Sequence, residues 1–332
     1  MAKSLGPDVE AHLKDARSRM AYGFARQEFR DVLFRLNDLK KLLIELGENA
    51  DSELYRHFPV AAVAALESYF KETIAKIVDT GSPYLERGLA LAREKLRSSV
   101  EILPILHRKT VTVGELVAYS LAFNSVSSLE NALGSLLDVD LKIAIGLAVD
   151  PIDVRNNWAD RQPIVADVSA LWKNISETFQ RRHILAHEAA TNYSVSFQEA
   201  QGAVKCVEDF ARALDAVMWA TIRKDDPLTQ YEMNLFAWKA HRVTRNKLAE
   251  RLKEGLAIAS EVGLRRKFRQ LHSSWKQYAG DWVQWENEQF ITGSVRPLLA
   301  ALARDRTFKA RLADVDEWIM AWTGIRHLSN IS

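Results

Sequence analysis

Apolar positions along this chain recur every three or four residues, and almost no segment alternates strictly between apolar and polar. That is the period of helices rather than strands, so the pattern predicts an all-α fold. Residues 8–46 read as one long charged helix with an apolar stripe of Leu33, Leu36, Leu39, Leu43 and Leu46, ended by Gly47, a residue suited to the left-handed turn at a helix terminus. Asp51 or Ser52 can cap a second helix that runs through Ile77 and stops before Gly81-Ser82-Pro83. Pro59 moves its effective start to near Phe58, because proline is tolerated only in the first turn.

A third helix is predicted over residues 84–102, and Thr112-Val113-Gly114-Glu115 has capping-box spacing for a fourth. Asn156-Asn157 and Pro163 mark a loop before a helix over residues 168–190, and Ser196-Phe197-Gln198-Glu199 is a second capping box opening a helix to about Ile222. A short connection over residues 191–195 makes these two helices antiparallel neighbours in a bundle. Asp225-Asp226-Pro227 ends that pattern and is the most credible boundary. Further helices follow at about 229–250, 264–290 and 294–322. The expected organisation is an N-terminal long helix (1–50), a helical bundle (51–223) and a C-terminal all-α domain (228–332), in keeping with a length of 332 residues.

Composition narrows the function classes. Hydrophobic content of 48% is ample for a core, and the net charge of +2 hides a local imbalance. Between His241 and Lys276 there are ten Lys or Arg against three acidic residues, with Trp275, Trp282 and Trp285 at or near its end. Such a segment can neutralise phosphates and stack on unpaired bases; a solvated helix face with tryptophans in the core explains the same residues. A DNA-binding regulator using this segment is a third, more distant reading. The single cysteine, Cys206, lies among Val204, Val207 and Phe210 and reads as a buried thiol. The first fifteen residues carry charges without an apolar run, and no stretch approaches the roughly 18 apolar residues that cross a bilayer. A soluble cytoplasmic protein without a membrane partner is expected. No cofactor or metal is expected either: His187-Glu188 would need a histidine at position 191, which is Thr191, and Gly-rich phosphate loops are absent. Asp138-Val139-Asp140 and Asp314-Val315-Asp316 read as helix caps, and His57 and His107 as structural or solvent-facing.

The chemistry concentrates in Phe179-Gln180-Arg181-Arg182-His183-Ile184-Leu185-Ala186-His187-Glu188. At 100° per residue, Arg182 lands inside the stripe formed by Leu171, Ile175, Phe179, Ala186 and Ala189, with His183 and His187 together at its polar edge. A guanidinium cannot shed its proton, so on an inward stripe it needs an anion or a carboxylate. Arg181 points to solvent on the same projection. The Arg-to-His spacing alone is weak, since Arg265 and Arg266 also precede His272 at allowed distances. Context separates the first pair: a polar residue directly after Arg182, then Ile184 and Leu185, all late in a long helix.

In that context Arg182-His183-Ile184-Leu185-Ala186-His187 resembles the catalytic signature of the HEPN superfamily, and residues 57–70 look like the opening core helix of such domains. The resemblance covers roughly residues 51–223. It implies an all-α, HEPN-like helical bundle with an additional C-terminal helical region. It also implies a metal-independent endoribonuclease that leaves cyclic phosphate and 5′-hydroxyl ends, works as a homodimer through the HEPN-like domain, and serves as a toxin or anti-phage effector. RNA and an antitoxin or sensor protein are the partners implied. By the same resemblance His187 is the general base or acid, Arg182 the phosphate clamp and His183 the orienting polar residue, with Glu188 and Glu67 as supporting carboxylates. Arg181, Arg265, Arg266, Lys267 and Arg269 are the candidate nucleic-acid contacts. Family members paired with nucleotidyltransferase antitoxins carry a Tyr two positions after the His, where this chain has Ala189; Tyr193 is too distant to substitute. The competing expectation is a non-catalytic helical module that dimerises or binds a partner, with Arg182 held by Glu67.

Overall fold

The computed structural model describes residues 27–96, 106–108, 111–188, 192–289 and 293–329. Helices account for the regular structure, and among these residues β-pairing is confined to a single isolated bridge between Val149 and Pro163. The chain divides into two compact units, residues 1–225 and 226–332.

The first unit begins with α1 (Gln27–Leu46), whose buried line of Phe29, Val32, Leu36, Leu39 and Leu43 is a continuous apolar stripe. Gly47 ends it with φ +68°, its N–H reaching Leu43 O at 3.1 Å; the predicted start at residue 8 lies outside the described residues. Asp51 caps the four-residue α2 (Ser52–Tyr55), and α3 (His57–Asp79) follows with Pro59 in its first turn. Then come α4 (Tyr84–Leu96), α5 (Val113–Ser120), α6 (Val126–Leu137), α7 (Leu141–Gly146), α8 (Pro151–Arg155), α9 (Val168–His187) and α10 (Phe197–Ala220). The boxes expected at Thr112–Glu115 and Ser196–Glu199 both form. Helix α6 was not predicted: its capping box is Ser125–Ser128, with serine where glutamate or glutamine usually signals a start.

Helix α3 is the hub. Phe58, Ala62, Val63, Leu66, Phe70, Ile74, Ile77 and Val78 are sealed, and α1, α4, α5, α9 and α10 all pack against it. Phe70 meets Phe210 of α10 edge-to-face at 5.8 Å, and Phe210 lies 5.5 Å from Trp172 of α9. These aromatic contacts tie three helices at one point. Helix α5 comes so close to α3 that a Cβ on Gly114 would lie 2.1 Å from Ala75 O, and the Gly114 N–H donates to Asp79 at 2.8 Å. Only glycine permits that approach.

Polar side chains lock the frame. Buried Glu28 of α1 accepts from Lys76 of α3 and from Arg223 just beyond α10. Burial alone would raise its carboxyl; the two cations prevail and hold it below the ordinary range. Glu72 of α3 lies in a groove of about 290 Å³ lined by Asp31, Arg35, Ala61, Ala64, Ser68 and Tyr69 among others. There burial pushes its carboxyl up to about 7, Lys76 opposing and Glu28 and Asp31 adding to the rise. Cys206 is buried beside Thr178, and its thiol is pushed up to about 11 by burial.

The second unit consists of α11 (Gln230–Glu261), α12 (Arg265–Glu288) and α13 (Arg296–Ser329). Thr229 and Glu232 make the capping box of α11, which continues eleven residues past its predicted end. It runs through Gly255 because Phe268 and Trp318 close over that position, where a Cβ would lie 2.9 Å from the Phe268 ring. Leu248, Ile258, Val315 and Ile319 form the core, with Trp275, Phe308 and Trp318 against it. Asp314 and Asp316 are not caps. Both sit inside α13, where Asp316 receives Arg251 and Asp314 lies 3.7 Å from Arg311. Asp140 does cap a helix, α7, while Asp138 closes α6 in the left-handed conformation and pairs with Arg87 at 2.7 Å.

Two substitutions of opposite sign test the α1–α3 contact. Glu28→Gln leaves two cations facing a neutral amide and costs roughly 3 kcal/mol in denaturant unfolding. Because its folded pKa is lowered, the wild-type contribution is present above the ordinary carboxyl range and lost as pH falls through the folded value. Glu72 is the reverse case: its folded pKa is raised, so its contribution is complete below the unfolded value of 4.5 and lost as pH rises through about 7. Glu72→Gln therefore melts above wild type at pH 8 and close to it at pH 4.

Candidate functional site

Asp167 caps α9 by accepting from Ala170 N, and Leu171, Ile175, Thr178 and Phe179 are its buried residues. The stripe then fades. Ala186 is exposed, Leu185 only partly covered, and the last two turns lie at the edge of the bundle. Projection on an ideal helix places Arg182 inward; the structure places it at the rim, its side chain 26% exposed. The helix outlasts the core beneath it.

Arg182 faces Glu67 of α3, which is 23% exposed, at 3.6 Å between Nη2 and Oε1. This separation is that of an ion pair rather than of a well-made hydrogen bond. His183 and His187 are exposed and lie one turn apart with ring centroids 5.1 Å from each other, tilted by 55°. Glu188, also exposed, closes the helix, its N–H donating to Ile184 O at 3.0 Å. Of the residues singled out from sequence, Arg182, His183, His187 and Glu67 thus lie on two packed helices, α3 and α9, with Glu188 just past the end of α9. Ala189 falls outside the described residues.

Arg181 differs from its projection more sharply. Instead of pointing to solvent it is 20% exposed, donates to Glu199 of α10 at 3.2 Å and lies 3.6 Å from Glu177. Glu199 is the same residue that accepts from Ser196 N in the capping box, which with Arg181 holds its carboxyl below the ordinary range despite some burial. Arg181 therefore fastens α9 to the start of α10. Both partners were visible in the sequence, Glu177 four residues earlier and Glu199 in its box; only the turn of the helix end brings them together.

In the second unit Arg265, Arg266, Lys267 and Arg269 are exposed on the first turns of α12. Trp282 and Trp285 are exposed toward its other end, whereas Trp275 packs against the core. The cations and the exposed tryptophans do not converge on one spot. Among the described residues no three His, Cys, Asp or Glu side chains gather as a metal site requires, and no helix is long and apolar enough to cross a membrane.

The family model described as RiboL-PSP-HEPN matches residues 30–220, more than half of the chain. The chain belongs to this HEPN family. None of the curated proteins or solved structures compared with it matches. The HEPN match begins within α1 and ends at the last residue of α10, so it contains both α3 and α9 and with them the Arg182–Glu67 pair.

A partly exposed ion pair contributes little to stability. Glu67→Gln is expected to change the unfolding free energy of the HEPN unit by less than about 1 kcal/mol in urea titration. A loss several times larger would mean that Arg182 is held as a core element.

Proposed function

We propose that this protein is an endoribonuclease of HEPN type, with Arg182, His183 and His187 as its catalytic groups. The observation that carries the reading is the open end of α9: two exposed imidazoles beside a guanidinium that is neither sealed in the core nor firmly bonded. HEPN domains are generally RNases and commonly dimerise.

The chemistry needs few parts. A base takes the proton of the 2′-hydroxyl, the 2′-oxygen attacks phosphorus, and the bond to the 5′-oxygen breaks as an acid protonates that oxygen. A 2′,3′-cyclic phosphate and a 5′-hydroxyl end result. Imidazole serves as base or acid near neutrality, and a guanidinium offers two parallel donors to the non-bridging oxygens. One copy brings one His187, and positions five apart on a helix diverge by about 140°. A two-fold pair of HEPN units supplies two of each group across one cleft. Glu67 holds Arg182 ready and yields it to the phosphate, and Glu188 is a secondary carboxylate at the same end. Resemblance extends the reading to a toxin or anti-phage effector acting on host RNA, checked by an antitoxin or sensor protein.

The Arg182–Glu67 pair also favours a second reading, a non-catalytic HEPN module that binds RNA or dimerises while Arg182 serves only to join two helices. The two separate in cells expressing wild type or His187→Ala. Under the nuclease reading, total RNA from wild-type cells gains new 5′-hydroxyl ends, and His187→Ala lowers cleavage by about 100-fold or more. Arg182→Lys fails to restore activity, because an ammonium lacks the paired donors. Intact RNA in both strains, with abundant folded protein, decides for the non-catalytic module.

A further inference from the structure

Helix α12 carries an apolar seam that the described residues of its own unit cover only in part. Leu264 just before it, then Phe268, Leu271, Trp275, Tyr278, Trp282 and Trp285, recur at alternating steps of four and three, the spacing of a helix that pairs with another helix. The side facing the unit's core runs through Ala279 and Val283, with Trp275 against the core and Phe268 against Trp318. The rest of the seam stands in solvent: Leu271 is 55% exposed, Tyr278 56%, Trp282 37% and Trp285 53%. Tyr278, Trp282 and Trp285 touch one another in a row, with centroids 6.1 and 5.1 Å apart. A contiguous aromatic ridge of this kind marks a surface that takes a partner.

Charge identifies the occupant. The first half of α12, residues 265–276, holds Arg265, Arg266, Lys267, Arg269 and Lys276 and no acidic residue. Its second half, residues 277–288, holds Asp281, Glu286 and Glu288 and no basic one. Arg306 of α13 already pairs with Glu286, while Asp281 and Glu288 accept from the Gln277 and Gln284 amides of the same helix. A helix basic at one end and acidic at the other is complementary to itself when reversed. RNA is the poorer fit, because stacking platforms work beside phosphate-neutralising cations, and the exposed tryptophans sit in the acidic half.

We propose that α12 is a homodimerisation helix, pairing antiparallel with α12 of a second copy about a two-fold axis near the helix centre. Each basic amino-terminal half then lies along the partner's acidic carboxy-terminal half, and each aromatic ridge packs on the partner's exposed Leu264 and Leu271 in the other half of the seam. An isologous contact of this type closes at two copies. The assignment stands independently of the nuclease reading.

Cysteine cross-linking of the full chain tests both contact and direction, since native Cys206 is buried and stays out of the reaction. Lys267→Cys and Glu288→Cys are made in separate chains and oxidised alone and mixed. The antiparallel pair gives a covalent dimer in the mixture and none from either variant by itself, because like ends are roughly 30 Å apart along the axis. Trp282→Glu with Trp285→Glu, both surface changes, abolishes the mixed cross-link and weakens self-association at this surface by roughly 30-fold or more per tryptophan. Cross-links within single variants, no mixed cross-link, or a mixed cross-link indifferent to the tryptophan changes would overturn the proposal. So would loss of single-stranded RNA binding in the tryptophan variant of a chain that forms no mixed cross-link.

Discussion

The HEPN unit depends on the burial of α3. Sealed residues at Phe58, Leu66, Phe70, Ile74 and Ile77 fix this helix among α1, α4, α5, α9 and α10, and the Phe70–Phe210–Trp172 contacts hold α9 and α10 to it. Such a close-packed helix cannot shift without opening voids on several sides. Glu67 inherits that rigidity. It sits where α3 is only partly covered, and so presents a carboxylate at a set place to whatever part of α9 reaches it.

What reaches it is the end of α9, where the core covers the helix only in part. Phe179 is the last deeply buried residue; beyond it Arg182 lies at the rim and His183 and His187 in solvent. Arg181 anchors this overhang by bonding Glu199 at the start of α10. Adjacent arginines thus take different partners, Arg181 bracing the helix end on Glu199 and Arg182 forming a looser pair with Glu67. Pairing with a carboxylate spares Arg182 from standing as an uncompensated cation, and partial exposure keeps that pair weak.

The second unit solves a different problem. Two of its helices, α11 and α13, are long and pack closely along each other, and α12 closes the bundle with Phe268, Trp275, Ala279 and Val283, while Tyr278, Trp282 and Trp285 stay at the margin. The resulting ridge and the separation of charge along α12 belong to one helix and need no other part of the chain for their description.

Much of this was legible in the sequence because helices announce themselves locally. The 3.6-residue period, the capping boxes at Thr112 and Ser196 and the stop at Gly47 depend on neighbours within a few positions. So does the run from Arg182 to His187, which lies within the residues that the HEPN family model matches. Tertiary structure decided where each face ends. An ideal helix projected Arg182 inward and Arg181 outward, yet the core stops short of the last two turns and Glu199 draws Arg181 across. Asp316 looked like a cap because nothing in its own segment revealed Arg251 as a partner 65 positions earlier. Period and capping are short-range properties written into the chain. Burial and pairing are long-range, and they exist only once separate helices have met.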